Sequence, residues 1–187
     1  MRKNDFLRTV NVAAQRVSNE KIVKIASEFE GIEGYLYIPK YFTEDYKDKK
    51  VTAKMLEEIQ ITESDAWRSA RKNLCRDTEV QPLEKVMGLC TGHVITENES
   101  SMGVYVVKTK YDTLGAGAIF NHEAFKNLAR KLHVHTVAIL PSSIHEILVM
   151  TKGILPLENL NQMVKDVNVT VVSDEEQLAD RAFLLTV

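Results

Sequence analysis

The chain has 187 residues, of which 44% are hydrophobic and 27% are charged, and these values are ordinary for a folded globular protein. This composition excludes wholesale disorder, and the length is sufficient to bury a sizeable core. The formal net charge of −2 excludes a strong overall positive field, so direct binding to nucleic acid or to an anionic membrane is not expected.

The N-terminal residues and the cysteines favour a cytoplasmic location. No apolar signal-peptide core follows Met1, and no apolar run approaches the roughly 18 residues that a membrane helix needs. Two cysteines, Cys75 and Cys90, do not make a disulfide framework. We therefore expect a cytoplasmic protein with reduced thiols and no membrane contact.

The first third of the chain is predicted to contain two strands and a helix between them. A strand is expected over residues 6–13, followed by a helix that Ser18 caps and that ends at Gly31. The aromatic and aliphatic run 34–38 predicts the second strand, which Pro39 stops.

Short helices are predicted next. Thr52 and Thr62 are typical caps of helix N-termini. After the second cap, Ala66, Ala70 and Leu74 recur at helical spacing and indicate one buried face.

The second half of the chain predicts strands with two amphipathic helices. The strands are expected over residues 102–107, 114–120, 136–140, 144–150 and 182–185. The first two are expected to form a hairpin through a turn at 111–113, and the helices begin at Asn121 and Leu157. This order favours an α+β fold, with a mainly antiparallel sheet covered by helices.

The polar segment 96–101 is the best candidate for a hinge. It predicts an N-terminal α/β lobe over residues 1–98 and a C-terminal α+β lobe over residues 99–187. One continuous domain is the alternative.

Reactive side chains are concentrated in residues 140–146, Leu-Pro-Ser-Ser-Ile-His-Glu, between apolar runs. If this segment is extended, Ser143 and His145 share a face, as a nucleophile and its base would. A hydrolase would use Ser143, His145 and Glu146, and the imidazole would need a carboxylate from elsewhere to orient it. The chain contains no Gly-x-Ser-x-Gly elbow.

The structural interpretation of the same segment needs no catalysis. The serine hydroxyls would stabilise a tight connection after Pro141 by hydrogen bonds, and His145 would hydrogen-bond a neighbouring backbone group. We favour this interpretation, in which the segment braces a corner of the sheet.

Metal and cofactor sites are not expected. His133 and His135 form one pair of ligand types and Cys90 and His93 another, but neither pair has a clear third ligand. The small residues 115–117 lack the Lys-Ser/Thr of a phosphate loop.

Four segments carry a resemblance to a known family, and they are residues 115–120, 139–148, 167–170 and 175–180. In this order they resemble an uncharacterised domain family of clostridial-type gut bacteria and of their phages and mobile elements. The family is marked by the Leu-Pro-Ser-Ser-Ile-His-Glu segment. The resemblance implies a shared fold and brings no established reaction, cofactor or catalytic residue.

The expected function is binding of a macromolecular partner, protein or nucleoprotein, without catalysis. The resemblance to phage and mobile-element proteins implies a sharper version, an inhibitor of a bacterial protein or nucleoprotein such as a defence complex. The candidate binding residues are aromatic: Tyr35, Tyr37, Tyr41 and Phe42. The alternatives are a hydrolase that uses Ser143 and a small-ligand domain with a pocket between the two lobes.

Overall fold

A computed structural model of the chain describes residues 1–88 and 100–187. The helices are α1 (Lys3–Thr9), α2 (Ala53–Glu58), α3 (Glu63–Asp77), α4 (Leu83–Val86), α5 (His122–Leu132) and α6 (Leu157–Thr170). The strands are β1 (Asn11–Arg16), β2 (Lys24–Ala26), β3 (Ile32–Ile38), β4 (Lys49–Lys50), β5 (Thr78–Pro82), β6 (Val104–Thr109), β7 (Thr136–Leu140), β8 (Ile147–Met150) and β9 (Phe183–Thr186). The protein therefore has the expected α+β fold.

The described strands form two antiparallel sheets. In the first sheet β3 pairs with β1, β2 and β4, and Tyr35 lies opposite Ala13 of β1. The second sheet has the order β5-β6-β8-β7-β9, and every neighbouring pair in it is antiparallel. Strands β5 and β9 are the edges of this sheet.

Helices α1 to α3 cover one face of the first sheet, where Leu36, Leu56 and Leu74 belong to one buried apolar cluster. Both predicted caps are confirmed. Thr52 Oγ1 accepts a hydrogen bond from a backbone N–H at 3.3 Å, and Thr62 Oγ1 accepts one at 3.1 Å. Each cap satisfies an N–H group that the first helical turn leaves without a partner.

The prediction for residues 6–31 is wrong in two places. Helix α1 occupies the beginning of the expected first strand, and β1 starts only at Asn11. The expected helix after Ser18 is absent, because Lys24–Ala26 pairs with β3 and Lys24 Nζ lies 3.1 Å from a carboxylate oxygen of Glu33. Strand pairing and this ion pair override the helical spacing of the apolar residues.

The expected strand 114–120 is also wrong. Leu114 adopts left-handed backbone angles with φ of 56°, and Gly115–Phe120 forms a 3-10 helix that is largely buried. A Cβ atom on Gly117 would clash with the carbonyl oxygen of Val12, so the glycine permits close packing of this helix on β1. Strand β6 pairs instead with β8 and with β5, a strand that the sequence did not predict.

One buried cluster combines side chains from both halves of the chain, including Ile32 from β3 and Ile139 from β7. The proposed boundary between residues 98 and 99, and most of the proposed hinge 96–101, lie outside the described residues. The division into two lobes therefore stays a prediction. Among the helices described, none is long and apolar enough to cross a membrane.

Candidate functional site

Residues 141–146 connect β7 to β8 and are not the start of a long strand, because β8 begins only at Ile147. The connection is hydrogen-bonded to a second segment of the chain. The N–H of Leu178 donates to the carbonyl of Ser142 at 3.0 Å, and the N–H of Ile144 donates to the carbonyl of Glu176 at 2.8 Å. These bonds hold the connection against residues 176–179.

The imidazole of His145 joins three segments. Its Nδ1 accepts a hydrogen bond from the N–H of Leu114 at 3.3 Å, and its Nε2 lies 3.1 Å from Oε1 of Glu176. A ring nitrogen that accepts from an N–H carries no proton, so the proton lies on Nε2 and is donated to Glu176. The hydrogen bond from His145 lowers the pKa of the Glu176 carboxyl, and a second bond from Ser173 adds to this effect.

The serines do not reach the imidazole. Oγ of Ser143 accepts a hydrogen bond from the backbone N–H of His145 at 3.0 Å. Within the described ranges, the side chains of Ser142 and Glu146 have no hydrogen bond or ion pair. The carboxylate that orients the imidazole is therefore Glu176, and the Ser143 hydroxyl serves the backbone, which favours the structural interpretation of this segment.

The aromatic binding candidates divide into buried and exposed pairs. Tyr35 and Tyr37 lie on β3 and are 2% and 0% exposed, and burial raises the pKa of both hydroxyls. Tyr41 and Phe42 lie in a short 3-10 helix after β3 and are 41% and 45% exposed. Only the second pair is open to a macromolecular partner.

We use the name aromatic surface for Tyr41, Phe42 and Tyr46, which contact one another through their rings or through Tyr111. Tyr46 is 61% exposed, and its ring centroid lies 5.6 Å from that of Tyr41. Tyr41 stacks on Tyr111 at 6.0 Å, and Phe42 contacts Tyr111 edge-on at 6.4 Å. A hydrogen bond from Tyr41 to Asp112 raises the pKa of the Tyr41 hydroxyl to about 12.

A buried carboxylate that the sequence did not single out anchors this surface from below. Asp77 accepts hydrogen bonds from Tyr111 at 3.0 Å and from the amide of Asn11 at 3.1 Å. Its ion pairs with Arg76 and Lys110 are 2.8 and 2.9 Å long. Burial opposes ionisation of Asp77, but these partners outweigh it and lower the pKa of the carboxyl. The ring beneath Tyr41 is therefore held in place by a charged, buried acceptor.

A groove of about 970 Å³ runs beside the aromatic surface. Its apolar lining consists of Met1, Phe6, Ile38, Phe42, Met55 and Ile59. Its carboxylates are those of Asp5, Glu44, Asp45 and Glu58. Its basic side chains are those of Arg8, Lys49 and Arg76, of which Arg76 is paired with Asp77.

A smaller cleft of about 450 Å³ is lined by Tyr35 and Tyr37 of β3 and by Leu114 and Ile144 beside the His145 segment. The ammonium group of Lys50 lies 4.9 Å from the centre of the Tyr35 ring. Oη of Tyr37 is buried beside the Thr109 hydroxyl, and neither hydroxyl makes a hydrogen bond of ordinary length within the part of the chain that the structure describes. This cleft lies between the first sheet and the connection that His145 braces.

The ligand pairs considered for a metal are not completed by the described residues. Across residues 1–88 and 100–187, no group of three or more His, Cys, Asp or Glu side chains could hold a metal ion. Cys90 and His93 lie outside these ranges.

The model of a family of unknown function, DUF5688, matches residues 35–185. The chain belongs to the DUF5688 family. The match extends from β3 to β9 and includes the aromatic surface, the 3-10 helix 115–120 and the His145 connection. It confirms the expectation of an uncharacterised domain. Neither a curated protein nor a solved structure matches the chain. DUF5688 membership therefore brings no reaction or partner, and function has to be argued from the site.

Proposed function

We propose that this DUF5688 protein acts by binding a protein partner through the aromatic surface and the groove beside it. The observation that carries the proposal is a set of three aromatic side chains, each between 41% and 61% exposed, in which Tyr41 contacts Tyr46 and both Tyr41 and Phe42 contact Tyr111. Tyrosine and phenylalanine offer large contact areas with little conformational entropy to lose, and exposed apolar clusters of this kind mark interaction sites.

Contacts within the chain hold two rings of the aromatic surface in place. Tyr111 fixes the rings of Tyr41 and Phe42 from below, and its own hydroxyl is held by the buried carboxylate of Asp77. A preorganised surface loses less entropy on association, which favours affinity. The arrangement therefore favours binding of one partner with a complementary surface over binding of many unrelated partners.

The charges of the groove favour a partner segment that carries lysine or arginine beside an apolar anchor. The four carboxylates of the groove form no ion pair within the described ranges, whereas Arg76 shares the Asp77 carboxylate with Lys110. Arg8 and Lys49 only partly offset the negative charge. An apolar side chain would pack beside Phe42, and a basic neighbour would face Glu44 and Asp45.

The finer proposal concerns the identity of the partner. The resemblance to phage and mobile-element proteins supports a bacterial target, either a protein or the protein component of a nucleoprotein such as a defence complex. The excess of carboxylates in the groove supports contact with protein rather than with phosphate groups.

Site-specific photo-crosslinking in cells of the source organism tests this proposal. A photoreactive phenylalanine analogue replaces Phe42 in one variant and Val169 in the control, because Val169 is 86% exposed and lies on α6. We expect one defined crosslinked protein from position 42 and none from position 169. Crosslinks of the same pattern from both positions, or from neither, would contradict the proposal.

Small-ligand binding in the cleft beside Tyr37 is a second candidate function. It is favoured by one observation: Tyr37 lines the cleft, and its buried hydroxyl, beside that of Thr109, makes no hydrogen bond of ordinary length in the described structure. A metabolite panel in a thermal-shift assay tests it, since a ligand of the folded state raises the melting temperature. A ligand of this cleft should stabilise the wild type more than Tyr37→Phe, and equal shifts would exclude this hydroxyl as its contact.

A further inference from the structure

Strand β9 forms an open edge of the second sheet. The N–H of Val187 donates to the carbonyl of His135 at 3.0 Å, and Leu185 lies opposite Val137 in the same register. In an antiparallel pair, residues that exchange hydrogen bonds alternate with residues whose backbone groups point away. The N–H and C=O groups of Leu184 and Thr186 therefore point away from β7, toward the outside of the sheet.

This edge is four residues long and lacks two of the features that usually prevent strand pairing. The strand Phe183–Thr186 contains no proline and no charged residue, and Leu184 is 50% exposed. No segment of the described chain pairs with its outer side. The opposite edge of the sheet, β5, ends in Pro82, which cannot donate a hydrogen bond.

Apolar side chains continue from the edge onto α6. A groove of about 810 Å³ lies beside β9 and is lined by Leu184 and Leu157, the latter 42% exposed. The neighbouring Leu155 is 43% exposed. A chain that added a strand to β9 would cover this apolar surface as well as the open backbone groups.

Two of the three carboxylates around the groove pair with arginines of the same chain, and the third lies beside a histidine. Glu30 pairs with Arg181 at 2.5 Å, Asp180 pairs with Arg16 at 2.7 Å, and Glu28 lies 3.1 Å from His122. Among the charged residues that line the groove, Lys165 alone has no ion pair in the described structure. An identical surface could therefore approach without a large excess of like charge.

We propose that β9 pairs antiparallel with β9 of a second copy of this chain, across a two-fold axis at Leu185. In this register Leu184 of each copy lies opposite Thr186 of the other, and the two residues exchange N–H···O=C bonds in both directions. The same patch then serves both subunits, as an isologous dimer requires. The second sheets of the two copies become one continuous sheet, and the exposed leucines of each copy are covered.

Sedimentation equilibrium of the full chain over a concentration series, with three variants, tests this dimer. Leu184→Pro removes an outward N–H without removing any bond to β7, and Leu184→Lys places a charge on the edge. Val169→Lys is the matched control on an exposed part of α6. Circular dichroism and the melting temperature establish that each variant is folded.

We expect the wild type and Val169→Lys to have about twice the chain mass of 21.2 kDa. Dimerisation of both Leu184 variants should be at least about tenfold weaker, since each loses central backbone bonds or gains an edge charge. If Leu184→Pro does not fold, Leu184→Lys decides. A wild type that stays monomeric throughout the series, or folded Leu184 variants that dimerise like the wild type, would overturn the proposal.

Discussion

His145 and Glu176 are 31 residues apart in the sequence, yet His145 Nε2 lies 3.1 Å from Glu176 Oε1. With the bond from Leu114 to Nδ1, this contact ties the β7–β8 connection to two other segments. The imidazole of the most chemically suggestive segment in the chain is therefore occupied on both nitrogens by structural partners.

Removal of this imidazole should lower stability. We expect His145→Ala to reduce the free energy of unfolding by roughly 1–2 kcal/mol, because two partly exposed hydrogen bonds are lost. Urea denaturation measures the change, and Glu175→Gln, a neighbour without a hydrogen bond in the described structure, is the control. The depressed pKa of Glu176 means that its contribution is present above about pH 4.5 and declines at lower pH. Equal stability of His145→Ala and the wild type would contradict this structural role of the imidazole.

The two adjacent serines should respond differently to truncation. Ser143→Ala removes the acceptor of the His145 N–H and should cost about 0.5–1.5 kcal/mol. Ser142→Ala removes a hydroxyl without a hydrogen bond in the described ranges and should stay within about 0.5 kcal/mol of the wild type. Denaturant titration of both variants gives the comparison. A hydrolase would instead lose activity in Ser143→Ala with stability unchanged.

The 3-10 helix between the sheets should not tolerate a methyl group at Gly117. Its Cβ would meet the carbonyl of Val12, which belongs to the backbone of β1 and cannot move aside as a side chain could. We expect Gly117→Ala to destabilise the fold by about 3 kcal/mol or more. At Gly31, φ is +84° but a Cβ would have open space, so Gly31→Ala should cost only about 1–2 kcal/mol. Thermal unfolding ranks the two, and the opposite order would contradict this packing.

Glu84 should make stability depend on pH in the acid range. Burial disfavours its ionised form, but the N–H of Met102 and the hydroxyls of Ser100 and Ser101 outweigh burial and lower its pKa to about 2. A lowered folded pKa contributes stability above pH 4.5, and this contribution is lost as the pH falls from 4.5 toward 2.

Glu84→Gln should therefore cost about 1–3 kcal/mol at neutral pH, because buried hydrogen bonds to a charged acceptor are weakened. The variant should also lose part of the decline of stability between pH 4.5 and pH 2. Urea denaturation at several pH values follows both effects. A variant with the same pH profile as the wild type would exclude Glu84 as the source.

The local features of the fold could be predicted from the sequence, whereas the long-range ones could not. Thr52 and Thr62 cap helices because a hydroxyl can satisfy a nearby backbone N–H, which depends only on neighbouring residues. The carboxylate partner of His145 is Glu176. Nothing in the local sequence distinguishes Glu176 from Glu146, which follows His145, or from Glu175, which precedes Glu176. Pairing across 31 residues depends on the fold and not on spacing.

The candidate site shows the same division. The sequence offered Tyr41 and Phe42 as binding candidates but did not separate them from the buried Tyr35 and Tyr37. Tyr46 belongs with the exposed pair because the fold brings its ring against that of Tyr41. The sequence did not single out Asp77, because its role depends on a hydrogen bond from Tyr111. Asp77 ends helix α3 and Tyr111 follows strand β6, and the fold brings the two residues together. The helix expected after Ser18 does not form, because the tertiary pairing of β2 with β3 favours a strand there.

The affinity of the captured partner for purified variants tests the binding account most directly. Isothermal titration compares the wild type with Phe42→Ala and with Val169→Ala, a more exposed apolar control outside the aromatic surface. We expect Phe42→Ala to weaken binding by about 30-fold or more, which corresponds to about 2 kcal/mol, and Val169→Ala to leave it within about twofold. Unchanged affinity of Phe42→Ala would contradict the account.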